Sequence, residues 1–164
     1  VMGTAGATGW EAFFVGTNTN DVISGIDVPM LCVPLEAEFK KIETIGFTTR
    51  FRPKDKKALK KVLSIAQKIN AIVKCLYVKT SDSDVETKTI EAWENEFKDN
   101  PIEFFVINSD EVKETIYDFI LYKSIDVLTM LTYKRGFFEG IFKPSLTKKI
   151  VSNFDIPILA MHID

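Results

Sequence analysis

The chain has 164 residues, which allows one domain or a domain plus a fragment. It is 46% hydrophobic and 27% charged with a formal net charge of −2, so no global basic field exists to draw nucleic acid. No apolar run approaches the roughly 18 residues of a membrane span, and no signal-peptide pattern is present, which points to a cytoplasmic protein without membrane partners.

In chain order, the first segment announces a repeat. Val1–Pro34 aligns without a gap on Thr129–His162, with identities at Met2/Met130, Thr4/Thr132, Glu11/Glu139, Phe14/Phe142, Pro29/Pro157 and Leu31/Leu159. The pattern predicts the C-terminal remnant of one module over residues 1–36, then a complete second module over residues 40–164. The remnant holds the tail of a strand, a glycine-bearing loop, a helix and a last strand, an orphan β-α-β piece too small to fold alone. Its segment carries no Lys or Arg before Lys40, so an anion bound there must be held by backbone N–H groups and hydroxyls.

From Lys40 the chain alternates short apolar strands with amphipathic helices. Ile42–Phe47 reads as a strand, and Lys54–Ile69 as a helix with Ala58, Leu59, Val62, Leu63 and Ala66 on one face. Ala71–Val78 reads as a second strand. Ser83 and Glu86 read as a capping box opening a helix to about Lys98, with Asp82, Asp84 and Glu86 favoured by its dipole. Ile102–Ile107 is a third strand, followed by a second capping box, Asn108 with Glu111. Ile125–Leu131 is a fourth strand, Ser145–Asn153 a helix, and Ile156–Met161 a last strand. Near-continuous apolar strands between helices predict an α/β fold, a five-stranded parallel open sheet with helices on both faces.

One motif carries chemistry. Gly3-Thr4-Ala5-Gly6 is followed after nine residues by Gly16-Thr17. Gly3 and Gly6 permit tight turns after a strand and a close approach of backbone to ligand. Gly16-Thr17 offers free N–H groups and a hydroxyl at a helix start, where the macrodipole favours phosphate.

On these residues Val1–Pro34 resembles the C-terminal portion of the universal stress protein family, whose nucleotide-binding members carry G-x2-G-x9-G-[S/T]. The ending Val28-Pro29-Met30-Leu31-Cys32-Val33-Pro34 resembles that family's last strand, and Ile45–Phe51 and Ala58–Ala71 resemble its first strand and helix. The resemblance implies an adenine nucleotide α-hydrolase-like fold, a tandem member, and stress-response regulation. It also implies that Gly3, Gly6, Gly16 and Thr17 wrap an ATP triphosphate accompanied by Mg²⁺ or Mn²⁺. The last strand of the family often pairs across a dimer interface. Met30–Val33 and Ile158–Met161 are therefore expected to pair within the chain or in a homodimer.

The second copy departs from the motif. Leu131 and Lys134 stand where Gly3 and Gly6 stand, Pro144 replaces Gly16, and only Ser145 keeps the hydroxyl of Thr17. Arg50 takes the place of an acidic residue that ATP-binding relatives carry after the first strand. Bulky side chains and a missing donor predict loss of ATP binding in the complete module. A basic set (Arg50, Arg52, Lys54, Lys134, Arg135, Lys143) reads as a solvated rim that could instead hold another anion.

The remaining candidates are structural. Cys32 and Cys75 read as buried reduced thiols rather than a disulfide. His162 is the only histidine and reads as a surface residue, leaving no histidine-based nucleophile or metal cluster. No acid–base pair is apparent, so the chain is expected not to be an enzyme. The alternative to a nucleotide-responsive protein is a nucleotide-independent dimerisation or interaction module.

Overall fold

The computed structural model describes residues 1–4, 28–34, 37–38, 40–132 and 156–162. In chain order the elements are β1 (Met2–Thr4), β2 (Met30–Pro34), β3 (Thr44–Thr48), α1 (Pro53–Ile69), β4 (Ile72–Lys79), α2 (Thr87–Phe97), β5 (Ile102–Asn108), α3 (Val112–Tyr122), β6 (Val127–Thr132) and β7 (Ile158–His162). The helix expected at Ser145–Asn153 lies outside the described residues.

The strands form one sheet in the order β1-β2-β7-β6-β3-β4-β5. The five strands β7-β6-β3-β4-β5 are mutually parallel, as the near-continuous apolar runs require. The two described strands of the opening segment extend the same sheet to seven. β1 pairs parallel to β2, and β2 pairs antiparallel to β7.

The registers reproduce the repeat. Gly3 lies opposite Val33 as Leu131 lies opposite Met161, and Met2 opposite Cys32 as Met130 opposite Ala160. Where the copies meet, Leu31 faces its own equivalent, Leu159, flanked by Met30 opposite Ala160 and Cys32 opposite Ile158. A local two-fold axis therefore passes through the Leu31–Leu159 pair.

Two apolar layers cover the central strands. On one face α1 and α2 bury Leu59, Val62, Leu63, Trp93 and Phe97 against Phe47, Val73, Cys75 and Leu131. On the other, α3 buries Ile116, Phe119 and Ile120 against Leu76, Leu128, Met130 and Ile158, with Cys32 and Met30 of β2 in the same cluster. β2 thus shares the core of the five-stranded parallel unit.

Two helix starts differ from the sequence expectation. The Ser83/Glu86 box does not form; α2 begins at Thr87 with Glu86 at its N-cap position. The Ser83 hydroxyl instead meets the Tyr77 hydroxyl and accepts from the Val85 N–H. α3 begins at Val112 rather than after Asn108, because Ser109 accepts the Glu111 N–H in a local turn. Ser83 is thus engaged in the loop, and Asn108, the other expected cap, is the last residue of β5, paired with Lys79.

Candidate functional site

A cavity of about 340 Å³ opens at the carboxyl ends of β3, β4 and β6. In an open α/β sheet this is where ligands bind, at the point where connections reverse direction. Here the chain runs from β3 outward through β4 to β5, then returns to β6 on the other side of β3. The floor is apolar, made by Leu76, Val78, Ile116, Met130 and Leu131.

Each wall is fixed by local chemistry. After β3, the Thr49–Arg52 turn is wound around Asp55 in the first turn of α1. One Asp55 oxygen accepts from the Thr49 hydroxyl at 2.9 Å, the Arg50 N–H at 2.8 Å and the Arg52 N–H at 3.2 Å. Asp55 itself is wholly buried. The turn places Phe51 at φ 55°, a left-handed conformation that an aromatic side chain adopts only under compulsion. Compulsion comes from the Thr49 hydroxyl, which accepts the Phe51 N–H at 2.9 Å, and from packing of the ring edge-on against Tyr77 and Trp93. The same turn leaves Arg50 exposed on the cavity wall.

The opposite wall is the loop after β4, carrying Thr80, Asp82, Ser83 and Asp84. It is anchored by Asp110, which accepts from the Ser81 N–H at 2.7 Å and the Ser81 hydroxyl at 2.9 Å. Those two donors hold the Asp110 carboxyl below the usual carboxylate range. Asp84 pairs with Arg52 at 3.3 Å, whereas Asp82 has no ion pair among the described residues.

Of the residues singled out in the sequence, Leu131 lines this cavity with 3% of its surface exposed, and Arg50 lines it from the rim. Gly3 is in β1, where an added Cβ would meet no described atom within 4 Å. Gly6, Gly16, Thr17, Lys134, Arg135, Lys143, Pro144 and Ser145 lie outside the described residues. The basic set does not converge among the described residues: Arg52 is taken by Asp84, and Lys54 stands exposed on α1. His162 is half-buried on β7 rather than a plain surface residue.

Asp82 and Asp84 are the residues that sequence reasoning placed wrongly. They were expected to serve a helix dipole, but the helix starts later and they form a cavity rim. Their position just beyond the carboxyl end of a strand beside the central one was the available signal.

Among the described residues the cavity walls bring two carboxylates, Asp82 and Asp84, and one guanidinium, Arg50, so an anion placed there would meet like charge as well as opposite charge. Leu131 fills the ladder position that Gly3 leaves open in the first copy. Among the described residues no group of three His, Cys, Asp or Glu side chains is arranged to hold a metal ion. Cys32 and Cys75 are both free and buried, and burial pushes both thiols up, Cys75 the more strongly. No described helix is long and apolar enough to cross a membrane.

No protein-family model matches the sequence, and no curated protein matches it. Solved structures do match. A universal stress protein from Archaeoglobus fulgidus DSM 4304 superposes with a TM-score of 0.70 at 12% identity, over 99% of this chain and 59% of the other. A functionally unknown protein from Pseudomonas aeruginosa PAO1 gives 0.65 at 10% identity, over 99% of this chain and 62% of the other. A universal stress protein solved in complex with cAMP gives 0.53 at 14% identity, over 75% of this chain and 98% of the other. The chain thus spans about three fifths of the length of the two longer proteins. With a parallel five-stranded unit, helices on both faces and a crevice at the strand ends, the chain has the universal stress protein fold.

Proposed function

We propose that this chain is a non-enzymatic, cytoplasmic regulatory protein of the universal stress protein type, with two modules that divide the work. Residues 1–36 are the C-terminal part of a nucleotide-binding module, in which Gly3, Gly6, Gly16 and Thr17 cradle phosphate. Residues 40–164 are a second module kept for architecture, its own crevice no longer suited to ATP.

The observation that carries this reading is the repeated register. Gly3 and Leu131 occupy the same ladder position in the two copies, so the comparison of glycine with leucine is made at structurally equivalent points. The rim carboxylates Asp82 and Asp84 support it, and so does the cAMP complex of a protein with this fold, which makes a nucleotide a sensible ligand class. Were Mg²⁺ or Mn²⁺ bound, it would neutralise phosphate charge at the glycine loop, where the segment supplies no basic side chain.

A second reading, an interaction module that works without nucleotide, is favoured by the antiparallel β2–β7 ladder, which joins the copies through paired strands and the shared packing of Met30, Cys32 and Ile158. Mass spectrometry of small molecules released from protein spanning both whole modules separates the two. An adenine nucleotide at near one equivalent supports the division of labour; none after gentle purification supports the interaction module.

A further inference from the structure

The layer formed by α1 and α2 carries opposite charge on its two halves. Lys54, Lys57, Lys61 and Lys68 follow one another at three-, four- and seven-residue spacing, so they form one stripe along α1. All four are exposed, and none is in an ion pair among the described residues. The only carboxylate in the helix, Asp55, is buried and committed to the Thr49–Arg52 turn. Like charges at these spacings weaken a helix, and only Lys68, in the last turn, is favoured by the helix dipole.

The far side of α2 carries carboxylates at its middle and lysines at its ends, Lys88 held by Glu86 at 2.6 Å and Lys98 exposed at the C-cap. Glu91 and Glu94 are exposed, three residues apart, and likewise without an ion pair among the described residues. Between the two stripes the charges are already matched: Glu96 bridges Lys56 at 2.6 Å and Lys60 at 3.0 Å, with Lys56 over the Trp93 ring. The layer therefore runs from cationic, through neutral, to anionic at the middle of α2.

We propose that this layer is a homotypic docking surface for a second copy of the chain. A two-fold axis along the neutral seam lays each lysine stripe over the partner's Glu91 and Glu94, because an isologous contact places each half against its opposite. Ile65, 42% exposed within the lysine stripe, is covered in the same contact. A planar anionic partner is disfavoured, since it would meet the glutamates as well as the lysines. The face measures about 25 Å by 20 Å from helix length and spacing, which puts the buried area at the low end for a specific complex. The association is accordingly weak and salt-sensitive. It is separate from the strand ladder and independent of nucleotide.

Sedimentation of the whole chain and two charge-reversal variants tests it, with circular dichroism to verify folding. Wild type associates at low ionic strength and dissociates as salt is raised. Lys57→Glu/Lys61→Glu and Glu91→Lys/Glu94→Lys each weaken self-association at least tenfold, while an equimolar mixture of the two associates again. Variants that associate as wild type does, or a mixture that stays monomeric, would overturn the proposal. So would binding of the chain to anionic lipid vesicles or to nucleic acid that Lys57→Glu/Lys61→Glu abolishes without any self-association of wild type.

Discussion

At the residue scale, a few side chains hold the crevice walls, and one looks out of place. Thr129 in the middle of β6 is fully buried, and its hydroxyl has no hydrogen-bond partner among the described residues. Its backbone carbonyl accepts from Thr48 across the crevice base, at 3.3 Å. An unsatisfied buried hydroxyl costs more than an isosteric methyl, so Thr129→Val should raise stability by about 1 kcal/mol in urea unfolding; a loss would mean that the hydroxyl has a partner.

Asp126 is the opposite case. Partial burial raises its pKa, but this is outweighed by the Lys40 ammonium at 2.8 Å and by the N–H groups of Glu43 and Thr44, both at 2.9 Å. The carboxyl is therefore held below its ordinary range. A depressed folded-state pKa contributes stability above the unfolded value, about 3.9, and that contribution is lost as pH falls through the lower folded value. Thermal melts over the acid range should accordingly show a shallower loss for Asp126→Asn than for wild type, from a lower starting stability. Identical slopes would show that the contact contributes nothing.

At the scale of elements, the close approach of β3 to its neighbours depends on Gly46. A Cβ there would lie 2.9 Å from both Ile125 Cγ2 and Leu128 Cδ1, two buried side chains with little room to withdraw. Gly46→Val should destabilise the protein by about 1–3 kcal/mol, the usual cost of overpacking a filled core. Chemical denaturation gives the number, and an unchanged midpoint would argue that β6 can move.

Strands and long helices were legible in the sequence because hydrophobic period dictates them. α1 appears within one residue of its expected start, and the five parallel strands within two. The starts of α2 and α3 were not, since Ser83 is engaged by Tyr77 and Asn108 by the ladder to Lys79. That three-dimensional competition has no signature in spacing, and it hid Asp82 and Asp84 from view as rim residues.

At the scale of the whole molecule, the repeat explains how two unequal pieces make one sheet. Leu31 opposite Leu159 places equivalent strands across a local two-fold axis, and Cys32 and Met30 complete the core beneath α3. In this contact Met30 and Cys32 are buried. The comparison of copies was readable from sequence, but the antiparallel junction was only one of two options there. Equivalent strands within one chain or between two chains present the same residues.

On the proposed division of labour, residues 40–164 have exchanged ATP binding for architecture. Calorimetric titration of the 164-residue chain with MgATP tests it most directly, run beside Arg50→Ala and Gly16→Pro. No saturable binding is expected in the crevice lined by Arg50, Asp82 and Leu131, so that Arg50→Ala changes nothing. One-to-one binding that persists in Gly16→Pro and disappears in Arg50→Ala would contradict it.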